Sequence, residues 1–189
     1  MISRMATLSD NEQLILVNEN DEAIGVQDKL SVHELGLLHR AFSLFIFNSE
    51  GKLLLQQRAD FKYHSPGLWT NTCCSHPRPG ELTIDACKRR LNEEMGMPCE
   101  PEFSFSFLYR YEFSNGLVEH EFDHVFIGIS DESPKINLDE VKNWKYISLK
   151  DLESDVSINP DHYTPWLKIC LPMLKNYIST SKFKYDIPV

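Results

Sequence analysis

Three short stretches of this chain carry residue types able to do chemistry. Gly36-Leu37-Leu38-His39-Arg40-Ala41-Phe42-Ser43 brings an imidazole into a predicted strand. Trp69-Thr70-Asn71-Thr72-Cys73-Cys74-Ser75-His76-Pro77 places a thiol two residues before a second imidazole. Glu119-His120-Glu121 spaces two carboxylates one residue apart. Side chains alternate along a strand, so Glu119 and Glu121 share one face and His120 takes the other. Each stretch alone has an ordinary reading: a satisfied histidine, two small buried cysteines, a solvated acidic strand. Together, same-face carboxylates and imidazoles from separate elements make a nitrogen and oxygen donor set. Such a set suits Mn²⁺, Mg²⁺ or Zn²⁺ and differs from a thiolate-rich structural zinc. A cysteine beside it reads as a reagent rather than a ligand.

The elements that position these residues follow from pattern. Apolar runs at 14–17 and 24–26 flank the turn Asn18-Glu19-Asn20-Asp21. The run 41–47 turns at Asn48-Ser49-Glu50-Gly51 into 53–55, which predicts a hairpin. Residues 59–80, with Pro66, Pro77 and Pro79, read as an ordered loop rather than a strand. A helix is expected from an N-cap at Thr83 to a stop at Gly96, with Ile84, Cys87, Leu91 and Met95 at helical spacing. Phe103, Phe105, Phe107, Tyr109, Tyr111 and Phe113 alternate as one aromatic strand face. Strands at 117–129 and 144–149 and a closing helix at 161–179 complete an α/β (α+β) mixed-sheet sandwich flanked by helices, in a single domain over 1–189.

Composition limits the partners. With 28 acidic against 19 basic residues the chain carries a formal charge of -9. Its bulk field repels nucleic acid and anionic lipid, so an anion must be held by a local cationic cluster. No apolar run reaches the ~18 residues of a membrane span. Five cysteines cannot all pair internally, and no secretory signal is apparent, so reduced thiols in the cytoplasm are expected. The expected partner is a small molecule, with no nucleic acid and no membrane, for a monomer or homodimer.

The segment 75–97 resembles the Nudix box, G-x5-E-x7-R-E-U-x-E-E-x-G-U with U aliphatic. Registered on Gly96, the pattern is met by Glu81, Arg89, Leu91, Glu93, Glu94 and Met97. Ser75 replaces the first glycine, and Arg90 replaces the first glutamate of the R-E pair. The box aims carboxylates at Mg²⁺ ions bridging a diphosphate. A guanidinium in place of a carboxylate removes a ligand and supplies a fork that can grip phosphate. This departure argues against the alternative reading, a Nudix-type diphosphate hydrolase, and leaves diphosphate binding intact.

With that box, the Thr-Asn-Thr-Cys-Cys-Ser-His-Pro run and Glu-x-Glu, residues 29–166 resemble the type 1 isopentenyl-diphosphate isomerase family. The resemblance implies a Nudix-like fold and interconversion of isopentenyl and dimethylallyl diphosphate. It implies Cys74 and Glu121 as catalytic, Tyr109 hydrogen-bonded near the acid, and Trp166 as an aromatic over the substrate. His33, His39, His76, Glu119 and Glu121 would surround a divalent metal, and Glu94 would help hold Mg²⁺ bound with the substrate diphosphate. Lys29, Arg58, Lys62 and Arg90 would face that diphosphate.

The chemistry explains the demand for these groups. Shifting a double bond by one carbon adds one proton to the alkene and removes another through a tertiary carbocation. The site must therefore supply an acid, a base and a dry pocket, since water would trap the cation as an alcohol. An aromatic face such as that of Trp166 contributes roughly 0.5–2 kcal/mol to a nearby cation.

Overall fold

The computed structural model describes residues 12–180 and Ile187. Strands β1 (Gln13–Val17) and β2 (Ala23–Asp28) carry the two opening apolar runs and pair as an antiparallel hairpin. A short helix, α1 (Lys29–Leu35), follows at once. Asp28 caps it by accepting from the Ser31 amide at 2.9 Å, and Gly36 ends it in the left-handed region. Seven residues give too little periodicity to betray a helix in the sequence, which explains why none was expected there.

The long strand β3 (His39–Phe47) runs parallel to β8 (Val118–Ile129) along one edge, from His39 opposite Glu121 to Phe47 opposite Ile129. On its other edge it pairs antiparallel with β6 (Cys73–Ser75). The expected 41–47/53–55 hairpin exists only at its root. Strand β4 (Leu53–Arg58) meets β3 at the single pair Phe47 and Leu53, then leaves to pair with β9 (Val141–Ile147) and β5 (Trp69–Thr70). The parting of β3 and β4 opens a cleft, lined in part by Lys62, Tyr63, His64, Cys74, Ser75 and His76 from the expected loop at 59–80. That stretch is therefore not all loop: β5 and β6 lie inside it.

Helix α2 (Thr83–Met95) covers one sheet face, packing Ala86, Cys87, Leu91 and Met95 against Phe42, Leu44, Ile46 and Leu54. Its N-cap is Leu82 rather than Thr83, with no side-chain cap. Gly96 ends it at φ 59°, where a Cβ would lie 2.4 Å from the Lys135 carbonyl oxygen. The other face is covered by α3 (Leu149–Ile158) and α4 (Pro165–Thr180), around Phe45, Phe47, Leu53, Leu55, Val125 and Ile127. The expected helix at 161–179 is thus a 3-10 turn (Pro160–His162) followed by α4, and α3 precedes both. The mixed α+β sandwich stands.

Strand β7 (Glu102–Glu112) pairs with β8, but a bulge between Phe103 and Phe105 breaks the alternation. Phe103 is 57% exposed and lies edge-on to His124 and Phe126, away from the face that carries Phe107 and Tyr109.

Candidate active site

Alternation sorts the vicinal cysteines. Cys74 stands opposite Ser43 and lines the cleft, while Cys73 stands opposite Leu44 and joins the core beneath α2. The same rule puts Glu119 and Glu121 on the cleft face of β8, where both are buried. Tyr109, directly across the ladder from Glu121, donates its hydroxyl to Glu121 Oε2 at 2.7 Å. Trp166, at the start of α4, closes the same cleft and is 4% exposed.

The histidines converge from three elements. His33 on α1 and His39 on β3 each place Nδ1 against a backbone carbonyl, Lys29 O at 2.6 Å and Leu37 O at 2.9 Å. In the neutral ring that leaves Nε2 as a bare lone pair. His39 Nε2 lies 3.2 Å from His76 Nε2 and 3.6 Å from Glu121 Oε1, and His76 Nε2 is 3.2 Å from the same oxygen. His33 Nε2 faces Glu119 Oε2 at 3.1 Å, yet neither atom makes a hydrogen bond. Donors about 3 Å apart match the spacing of neighbouring ligands around an ion bound at ~2.0–2.2 Å. Two overlapping trios, His33, His39 and His76, and His39, Glu119 and Glu121, each bring their donor atoms close enough to hold a divalent cation. Burial, aided by Lys29 and His39, holds His76 well below the usual imidazole range, in the neutral form a ligand needs. Burial opposes ionisation of Glu121, but His39 and the Tyr109 hydroxyl bring its carboxyl below the ordinary value.

Two buried groups beside this cluster escaped the sequence reading. His64 is buried with Nε2 3.2 Å from Glu119 Oε1, stacked on Phe113 and edge-on to Trp166. Burial pushes it down to about 3, so it is neutral. It sits in a stretch already rich in aromatics and prolines, with no spacing to mark it. Asp123 is the third carboxylate of the alternating set on β8 and accepts from Ser43 Oγ at 2.8 Å. Burial and the neighbouring Glu121 charge push its carboxyl well up. Its i, i+2 spacing from Glu121 was the available signal. Burial likewise pushes the Cys74 thiol up, against the pull of Arg58.

Lys29, Arg58, Lys62, Arg90 and Glu94 also line the cleft. Most of this positive charge is already paired. Lys29 binds Glu12 at 3.0 Å, and Lys62 binds Glu140. The expected free fork of Arg90 is spent on its own helix. It donates to Glu93 Oε2 at 2.8 Å and to Glu94 Oε1 at 2.6 Å, with Glu140 at 3.4 Å. The other oxygen of Glu94 accepts from Gln56 at 2.8 Å. Arg58 alone among the four cations has no carboxylate partner in the described residues. Its guanidinium lies 5.2 Å over the Trp166 ring and its Nε is buried without a partner. One face of that indole is therefore taken by Arg58.

This architecture is a Nudix domain: the NUDIX domain family model matches residues 37–167. Solved structures agree on the fold. DR0079 from Deinococcus radiodurans superposes with TM-score 0.72 at 21% identity, over 86% of this chain and 98% of that one. A MutT protein from Methanosarcina mazei gives 0.60 at 17% identity, over 74% and 94% of the two chains. Closer in sequence is isopentenyl-diphosphate Delta-isomerase 2 of Aromatoleum aromaticum, 53% identical over 160 residues, 85% of each chain. The isopentenyl-diphosphate Delta-isomerase of Pectobacterium atrosepticum is 47% identical over 165 residues, 87% of this chain and 92% of that one. The chain belongs to the isopentenyl-diphosphate Delta-isomerase family.

Proposed function

We propose that this chain interconverts isopentenyl and dimethylallyl diphosphate by adding a proton to the alkene and removing another. One observation carries the reading: the Cys74 thiol and the Tyr109-bonded carboxylate of Glu121 line one cleft, closed by Trp166. One of the two gives a proton at the double bond, and the other takes one from the carbon on the far side of the cation. Tyr109 orients Glu121 and offers a hydroxyl through which its proton can pass. His33, His39, His76, Glu119 and Glu121 hold a divalent metal, Mn²⁺, Mg²⁺ or Zn²⁺. When bound, that ion tunes the proton affinity of its carboxylate ligands. Trp166 and His64 keep the hydrocarbon end dry, since water would add to the cation.

Arg58, with Lys29 and Lys62 at the cleft wall, receives the diphosphate; Glu94 holds the Mg²⁺ that accompanies it. Arg90 supports the site by holding Glu93 and Glu94 in place, and its charge offsets the box carboxylates that a hydrolase would need for its metals. The diphosphate hydrolase reading loses on that ground. Five cysteines without a disulfide among them fit a reducing cytoplasm.

The test is turnover in deuterium oxide. Wild-type protein with Mn²⁺ or Mg²⁺ should place solvent deuterium in the product, and Cys74→Ala and Glu121→Gln should each abolish it. Full turnover in either variant overturns the assigned roles. Phosphate released from nucleoside diphosphate derivatives, without isomerisation, would favour the hydrolase.

A further inference from the structure

Thr70 lies on the short strand β5, before the cysteine run, and is fully buried. Its hydroxyl has one proton to give and two lone pairs to receive, and all three are used. It donates to Asn71 Oδ1 at 2.9 Å, and it accepts from Trp166 Nε1 at 2.8 Å and from Thr164 Oγ1 at 3.0 Å. Asn71 carries the chain onward, its Nδ2 donating to the Cys73 carbonyl at 2.8 Å and to Leu44 O at 3.3 Å. The Thr164 amide also donates to Trp69 O at 3.0 Å. Every side chain in this relay is buried.

We infer that Thr70 is a positioning residue that couples the wall of the cleft to its reactive thiol, locking Trp166 and the Cys73-Cys74 peptide in one geometry. The inference rests on the isomerase reading above. Three features point to more than local packing. Trp166 comes from α4, far along the chain, and the described structure gives its indole N–H this one hydrogen bond. Asn71 turns from the same hydroxyl to the carbonyl immediately before Cys74. A threonine hydroxyl with all its positions filled admits no second arrangement, so the aromatic wall and the sulfur keep a fixed relation. Thr70 itself does not line the cleft. Its effect passes through Trp166 and Asn71.

The expected consequence lies in the fate of the cation. With the wall loosened, water reaches the tertiary carbon, forms a C–O bond and loses a proton, leaving a hydroxylated C5 diphosphate in place of the alkene. Thr70→Val keeps the shape of the side chain and removes all three hydrogen bonds. It should lower kcat by about tenfold or more with little change in KM. It should also divert a measurable fraction of turnover to the alcohol and speed exchange of the Trp166 indole proton, assigned by comparison with Trp166→Phe. Thr70→Ser, which restores the hydroxyl, should reverse all three effects. If Thr70→Val does not fold, Trp166→Phe, which removes the indole N–H together with part of the wall it positions, should itself yield alcohol product. Alkene as the sole product from a folded Thr70→Val, at the wild-type kcat, overturns the inference. So does alcohol-free turnover by Trp166→Phe. No isomerisation by the wild-type protein would instead overturn the underlying reading.

Discussion

Tyr109 and Glu121 stand directly opposite one another in the β7–β8 ladder, and the phenol donates to the carboxylate at 2.7 Å. Strand register, not side-chain reach, sets this contact. Tyr109→Phe should therefore leave the fold and metal content intact and lower kcat roughly 10- to 100-fold, within the range of a lost proton-transfer aid. Steady-state kinetics with metal analysis checks it, and an unchanged kcat would remove the tyrosine from the mechanism.

The imidazole and carboxylate cluster should couple ion binding to stability. A divalent ion at a hundred times its Kd adds about 2.7 kcal/mol to the folded state. Melting after treatment with chelator should thus fall below that of the metal-supplemented protein, and His39→Ala should erase most of the difference. Coincident melting curves with and without ion would show that the cluster holds none.

Glu140 binds Lys62 and approaches Arg90 at 3.4 Å, so it would compete with an anionic ligand for these cations. Glu140→Gln should free positive charge and tighten the binding of inorganic diphosphate roughly three- to fivefold, the scale of a solvent-screened ion pair. Titration calorimetry reads this directly. Weaker binding would mean that Glu140 orders these cations rather than opposing the ligand.

Glu81 accepts two hydrogen bonds from Arg89, at 2.7 and 2.8 Å, and these hold its carboxyl below the usual value of 4.5. A folded-state value below the unfolded one stabilises above about pH 4.5 and loses that contribution as pH falls through the folded value. Glu81→Gln should cost about 1 kcal/mol at neutral pH, and the gap to the wild type should narrow in acid. Denaturant titrations at pH 7 and pH 3 test the sign.

Gly96→Ala combines a left-handed backbone with a Cβ 2.4 Å from the Lys135 carbonyl oxygen. A loss of about 2–3 kcal/mol is expected, measurable as a lowered denaturation midpoint. A change within error would mean that the 135 segment yields at little cost.

Part of the cleft was legible because its residues obey period-two spacing: alternation alone put Glu119 and Glu121 on one face, while Cys74 was separated from Cys73 by the family resemblance. The α2 stop at Gly96 was equally plain. What escaped depends on tertiary context. His64 gains its place only when the stretch before β5 folds across the cleft beside Glu119. Arg90 looked like a free fork because sequence shows its spacing to Glu93 and Glu94 but not that all three side chains lean together. The bulge at Phe103 to Phe105 keeps the aromatic alternation intact in the letters while turning one ring to the opposite side. α3 lacks a clean apolar stripe, with only Leu149 and Leu152 buried, and so left little trace.

The central strand β3 has a consequence for how the protein opens to its ligand. Cys74 and Glu121 are laced to opposite banks of this one ribbon, through β6 and β8. The gap between sulfur and carboxylate is then fixed by the width of the ribbon and not by the entrance. A displacement of residues 59–68 at the entrance would therefore leave the spacing of sulfur and carboxylate unchanged.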